Sequence, residues 1–459
     1  MKVVIVGNGI IALTTAYRLL KKDNTVNITI VGNNKREGCA TLAAGAMFNS
    51  FCEIDSNTFV NSYEKAKWNF NRTSTALWQD HIKNIEQDSG IQQETGFGTY
   101  LIQNTTTDEL EDENFEAIHQ ALVNHNEPFE WIAPKSINNY SPNPTSRASR
   151  CLFIPNEGWI NPNILLNSLE TILQKSKRVD FVNAHAKAIH KGEKNIDSLE
   201  TNQGNFVTGD CFLLANGAAF SQLVDDSNLR LNFQQVYYGI GCSIVLKTNE
   251  YTVKNCIRTP NRGLACGIYA VPQNSENTVV GASNFIAPWA EQHPRATSLH
   301  TLLDAAINQI NSNFYKAQVL RVNTGWRPTT EDTLPMIGET SIPNLFVATG
   351  TKRDGIHCSP LVSDYLSDIM LRNQSKHDFK LFTPERKPHR IYTREEAIRL
   401  AVKHTLNADY QHGFSPAKNN MQLKLKTYYT DLFHKIHDQV GAYNWGIPPE
   451  LMDLYKYKK

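Results

Sequence analysis

The chain has 459 residues, 41% of them hydrophobic and 20% charged, which excludes disordered and fibrous classes and supplies a core for two packed domains, or for one domain inserted into another. Lys and Arg number 46 against 45 Asp and Glu, so no net field exists to capture nucleic acid or an anionic membrane. A small neutral or zwitterionic ligand suits this balance better.

In chain order, Lys2-Val3-Val4-Ile5-Val6 is an apolar, β-branched run, as expected of a parallel strand covered on both faces. Gly7-Asn8-Gly9-Ile10-Ile11-Ala12 follows at once, then apolar residues at helical spacing to Leu20, then a second strand, Asn27-Ile28-Thr29-Ile30-Val31. In such a unit Gly7 permits the tight turn, Gly9 lets backbone approach a pyrophosphate, and the small Ala12 lets helix pack on strand. The helix start at Ile10 and Ile11 then offers N–H groups and a positive dipole end to the phosphates. The acidic residue that usually ends the second strand and grips a ribose is absent: Val31 is followed by Gly32, Asn33 and Asn34, and Asn33 is the candidate replacement. NAD and FAD enzymes share this opening, so the choice of dinucleotide rests on the remainder of the chain.

Several later segments, in the expected order, make residues 1 to about 375 resemble the D-amino acid oxidase, glycine oxidase and sarcosine oxidase superfamily of FAD-dependent oxidoreductases. Cys39-Ala40-Thr41-Leu42-Ala43-Ala44-Gly45-Ala46-Met47 is similar to the family's small-residue segment under the flavin, where Ala43, Ala44 and Gly45 let backbone come close to the ring. Leu152-Phe153-Ile154-Pro155 and Glu157-Gly158-Trp159-Ile160-Asn161-Pro162 resemble the segment before a helix that rejoins the cofactor domain, here 163 to about 173. Asp210-Cys211-Phe212-Leu213-Leu214-Ala215-Asn216-Gly217-Ala218 resembles a strand ending near the cofactor at Ala215 and Gly217. Tyr269-Ala270-Val271-Pro272 with Thr278-Val279-Val280-Gly281-Ala282 resembles the substrate-domain hairpin. The most specific series is Gly325-Trp326-Arg327-Pro328, Asp332-Thr333-Leu334-Pro335-Met336-Ile337-Gly338, Leu345-Phe346-Val347-Ala348-Thr349-Gly350 and Asp354-Gly355-Ile356.

The resemblance implies an α/β fold: a Rossmann-type FAD-binding domain with an inserted α+β substrate domain on a large mixed or antiparallel sheet, followed by a helical C-terminal extension. It places FAD against Gly7, Gly9, Ala12, Asn33, Ala43, Ala44, Gly45, Ala215, Gly217, Gly350, Asp354, Gly355 and Ile356, with a helix over about 361–371 aimed at the pyrimidine side. FAD is expected to be noncovalent, since some relatives attach it through a cysteine near the Arg-Pro segment and 324–333 holds no Cys or His; Cys39 is the remote alternative for attachment. Chemistry then needs few side chains, because the flavin takes the hydride from the substrate C–N carbon at N5 and the protein anchors and orients. Arg327 falls where the family binds the substrate carboxylate; the alternative is a structural Arg paired with Asp332. Tyr269 is either a pocket phenol or a packed hairpin aromatic. Lys352 and Arg353 either place cations beside the flavin or are loop charges, solvated or paired with Asp354. One of Tyr237 and Tyr238 faces the pocket. His357 and Cys358 are expected to pack at a helix start.

The cofactor domain is expected to draw on 1–80, 145–230 and 320–380, and the substrate domain on 81–144 and 231–319. Residues 385–459 extend beyond the resemblance and carry helical spacing over 393–406 and 423–440. A helix pair packed on the body is expected there, with a lid, a homodimer surface or a carrier-protein dock as further roles. Eight cysteines, at 39, 52, 151, 211, 242, 256, 266 and 358, show no metal-ligand spacing; they read as reduced, and no metal site is expected. With a strand reaching Lys2 and no apolar run near the ~18 residues of a membrane span, the expected location is cytoplasmic. The function these features favour is an FAD-dependent oxidase of a small-molecule amine or amino acid, with O2 reduced to H2O2 and no nucleic acid as partner. A dehydrogenase passing electrons to a quinone or protein acceptor is the second reading, and a tailoring or RNA-modifying flavoenzyme on a carrier-bound or macromolecular substrate the third.

Overall fold

The computed structural model describes residues 1–105, 109–263, 267–411 and 420–456. Strand β1 (Lys2–Val6) is buried from Val3 onward because it lies inside a six-stranded sheet. It pairs in parallel with β2 (Asn27–Val31) on one side and with Cys211–Leu214 on the other, in the register Val3 to Ile28 and Val3 to Cys211. Val179–Val182 and Leu345–Thr349 extend the sheet in parallel, and Met336–Glu339 closes one edge antiparallel. Every residue of β1, β2 and Cys211–Leu214 beyond the first of β1 and β2 is apolar or a buried Thr, which a strand covered on both faces requires.

One face carries helix α1 (Ile10–Lys22) together with the helices Ser62–Ser89, Pro162–Gln174 and Gly355–Met370, which share a single apolar core with β1 and β2. The other face is covered by a small three-stranded sheet, 186–208, and the short helix Phe220–Asp226. A second, ten-stranded and largely antiparallel sheet is built around Thr95–Asn104, Ala148–Ile160, Val236–Lys247 and Gln318–Thr330. Its long strands Val236–Lys247 and Gln318–Thr330 pair along their whole length, Gly239 opposite Arg327 and Gly241 opposite Gly325.

The helix expected over 361–371 begins six residues earlier, at Gly355. Pro360 looks like a first-turn proline, but it sits inside the helix. Its missing N–H would orphan the Ile356 carbonyl, and Ser359 Oγ donates to that oxygen at 2.8 Å instead. The C-terminal extension forms the helices Arg394–Gln411 and Met421–Gln439, whose apolar faces meet around Ile398, Leu406, Phe433 and Ile436. The seven cysteines among the described residues are free thiols, and Cys266 lies outside them. Among the described residues no helix is long and apolar enough to cross a membrane, and no cluster of metal-ligating side chains occurs.

Candidate cofactor and substrate site

A cleft of about 350 Å³ runs from the end of β2, past the turn after β1, to the strand that carries Arg327 and the loop 350–355. Gly7 has φ +113°, and a Cβ there would stand 2.4 Å from the Ala215 carbonyl oxygen, so only glycine closes this turn. Gly9 caps α1 without a side-chain hydrogen bond, and Ile10 N makes one long bond, 3.3 Å, to Thr41 Oγ1. The first turn of α1 therefore presents its N–H groups and its positive end to the cleft. Ala12, fully buried, fills the helix-to-strand contact as the spacing predicts.

Gly7, Gly9, Ile10, Ile11, Asn33, Ala43, Ala44, Ala215, Gly217, Gly355 and Ile356 all line this cleft, although they come from five separated stretches of chain. Gly350 does not: with φ +73° it turns the chain against Thr330 and Leu334, between the lining residues Thr349 and Thr351. Gly45 and Asp354 line instead a smaller chamber of about 60 Å³ that shares Ala44, Arg327, Arg353 and Ile356 with the cleft. At the far end Asn33 Oδ1 accepts from Lys35 N at 2.8 Å, and its amide nitrogen lies 2.6 Å from His185 Nε2. His185, brought from another strand connection, thus joins Asn33 where the motif lacks its acid. Sequence proximity carries no hint of it.

Arg327 lies at the junction of cleft and chamber. Its guanidinium crosses Gly241 so closely that a Cβ there would meet Nη1 at 2.0 Å. Nη1 donates to Ser283 O at 2.9 Å and to Asn284 Oδ1 at 3.0 Å, both uncharged acceptors. The alternative pairing with Asp332 does not form, because Asp332 is taken by Arg386, with Nη2 to Oδ1 at 3.1 Å. Among the described residues, Arg327 is therefore a half-buried cation with no carboxylate of its own.

Lys352 and Arg353 are neither solvated nor paired with Asp354, which takes Lys67 at 3.2 Å. Arg353 pairs with Glu53 at 2.9 Å, and Glu53 also receives Arg258 at 2.6 Å and Asn261 at 3.2 Å. Burial alone would raise the Glu53 carboxyl, but Arg353 and Arg258 outweigh it and hold the group well below the usual carboxylate range. Lys352 is paired with Glu450 of the C-terminal extension. Burial pushes the Lys352 ammonium down to about 8, Glu450 opposing. The sequence marks neither Glu53 nor Glu450, since an isolated Glu carries no spacing signal.

Tyr269 sits where packing and pocket meet. It belongs to a buried apolar cluster, and its ring lines the chamber wedged against Gly45 and Gly281. Tyr238 faces the cleft, edge-on to Trp326 with centroids 5.7 Å apart, whereas Tyr237 packs with Ile286 and Tyr455. His357 and Cys358 are packed as expected: the His357 carbonyl accepts from Ser74 Oγ at 2.6 Å and Trp78 Nε1 at 2.9 Å, and burial pushes the imidazole down to about 4.

The glycine-walled turn and the uncapped helix end fit the pyrophosphate of FAD, and the small residues of 43–45 with the loop 350–355 leave backbone surface for its ring system. The FAD dependent oxidoreductase family matches residues 2–369. The chain is 24% identical to glycine oxidase of Geobacillus kaustophilus over 387 residues, covering 83% of this chain and 96% of that protein. It is 23% identical to the bifunctional protein ThiO/ThiG of a Synechocystis strain over 384 residues, 84% of this chain and 54% of that one; the chain spans about half the length of such curated relatives. Among solved structures, glycine oxidase from Geobacillus kaustophilus superposes with a TM-score of 0.72 at 21% identity, over 84% of this chain and 98% of its own. Iminodiacetate oxidase from Chelativorans sp. BNC1 gives 0.70 at 15% identity, over 83% and 98%. The strand–glycine–helix cradle, the two-sheet architecture and a match across four-fifths of the sequence agree, and the chain belongs to the family of FAD-dependent oxidoreductases.

Proposed function

We propose that this flavoprotein oxidises a small amine that carries a carboxylate, a simple amino acid such as glycine being the type, with O2 as terminal acceptor. The reading rests on Arg327: a guanidinium fixed by Ser283 and Asn284, facing a chamber of about 60 Å³ and lacking an acidic partner among the described residues. Bound FAD supplies the acceptor for the hydride removed from the C–N carbon, leaving an imine for water to hydrolyse. Arg327 anchors the carboxylate and so orients the C–H bond; Arg353, held by Glu53, adds positive potential at the same end. Tyr269 forms part of the chamber wall, against Gly45 and Gly281, and helps exclude water. Lys352 contributes a cation at the ring end of the cleft, and the free thiols suit the reducing cytoplasm. The relatives named glycine oxidase support the same substrate class.

The test is an anaerobic screen of amino acids and secondary amines for bleaching of the flavin band, followed by peroxide yield in air. Arg327→Ala is expected to keep FAD and lose roughly 10- to 100-fold in apparent affinity for carboxylated amines, the worth of a charged bidentate pair. Equal affinity in the variant would remove Arg327 from the anchor role. Bleaching without peroxide would make the enzyme a dehydrogenase.

A further inference from the structure

The family match ends at residue 369, and the compared glycine oxidase structure covers 98% of itself but 84% of this chain. The residues beyond that match do not stay on the outer surface. Arg386 and His389 N bind Asp332, two residues past the end of the Arg327 strand, and Arg390 Nη2 binds Glu64 Oε2 at 2.6 Å while also reaching Thr333. Leu451 and Leu454 pack on Ile286, two residues from the Asn284 that fixes Arg327. Between these ties the turn Pro449–Leu451 delivers Glu450 to Lys352.

Lys352 needs such a partner. Its side chain is 8% exposed, its backbone is left-handed at φ +50°, and its amide donates to Pro328 O at 2.9 Å, tying the loop 350–355 to the Arg327 strand. The nearby acids of the body are already paired: Asp354 with Lys67, Glu53 with Arg353 and Arg258. A buried ammonium without a counter-charge would give up its proton more readily or draw the loop toward water, and either loosens the loop's hold.

We propose that the C-terminal extension completes the flavin site of this chain, with Glu450 as the positioning residue that fixes Lys352 and, through it, the loop 350–355. The inference rests on FAD occupying the cleft and is independent of which amine is oxidised. The charged and titratable groups facing this pair are Arg353 and Asp354 on the same loop, Lys67 on the helix Ser62–Ser89, and Arg390, Tyr392 and His404 on the extension. Glu450 is the group that opposes burial and keeps Lys352 protonated toward pH 8, so its neutralisation moves the lysine titration downward.

Full-length, FAD-loaded protein carrying Glu450→Gln or Glu450→Asp provides the test. Expected for Glu450→Gln are amide exchange at 350–355 about tenfold faster and a downward move of about one pH unit in the transition of the visible flavin band, with Glu450→Asp close to the parent. A folded, yellow Glu450→Gln protein with parental exchange at 350–355 and a parental pH transition overturns the proposal. If Glu450→Gln does not fold, Lys352→Met is compared with the double variant Lys352→Met/Glu450→Gln: melting no lower in the double supports the pairing, and a further drop of several degrees overturns it. A colourless parent protein, by contrast, would refute FAD binding itself.

Discussion

Arg327 and Gly241 act as one unit, because the guanidinium occupies the space a side chain at 241 would fill. Gly241→Ala is expected to displace Arg327 and raise KM for carboxylated amines about tenfold or more while the flavin spectrum stays unchanged, read by steady-state kinetics beside FAD absorbance. At Glu157, burial pushes the carboxyl up to about 7, although the side chain is bonded by the amides of Phe51 and Cys52. A folded-state value above the unfolded 4.5 means the group favours folding below pH 4.5 and that this contribution is lost as pH rises through 7. Glu157→Gln keeps an acceptor for the amides, and its urea melts should lose the fall in stability between those pH values. The site residues legible in sequence are those embedded in a spaced series, Arg327 and Tyr269 among them. Glu53, His185 and Glu450 are not, because nothing in their neighbours marks them.

At the scale of elements, β1, the turn and α1 behave as a single cradle, and one atom decides it. Gly7→Ala would place a methyl 2.4 Å from the Ala215 carbonyl in a backbone region closed to L side chains. Purified Gly7→Ala is expected to be colourless or to bind FAD at least tenfold more weakly in fluorescence titration; parental affinity would show that the turn tolerates a side chain. This cradle is readable because strand, turn and helix are contiguous and each leaves its own periodicity. The start of the helix Gly355–Met370 is hidden for an opposite reason: Pro360 reads as the start of a helix although it lies inside one, where the Ser359 hydroxyl satisfies the carbonyl it leaves free. That compensation is visible only when the carbonyl it satisfies is seen.

For the whole molecule, the extension is held by a buried charge pair at the root of the Arg327 strand. Asp332 is fully buried and Arg386 nearly so. Asp332→Asn leaves a buried guanidinium without its counter-charge and is expected to cost about 3–5 kcal/mol, seen as a lower midpoint in denaturant and earlier proteolysis after residue 385. Two-state unfolding with no change in midpoint would show the extension to be energetically separate. The sequence by itself determined the dinucleotide cradle, because contiguous glycine spacing and apolar periodicity are local properties of the chain, and its resemblance to a known family brought with it the series that carries Arg327. Only the tertiary structure decided which charges meet: Arg327 without Asp332, Arg353 with Glu53, and Lys352 with a glutamate 98 residues away. Coulomb partners are chosen by distance in space after the sheets have packed, and chain order places no constraint on them.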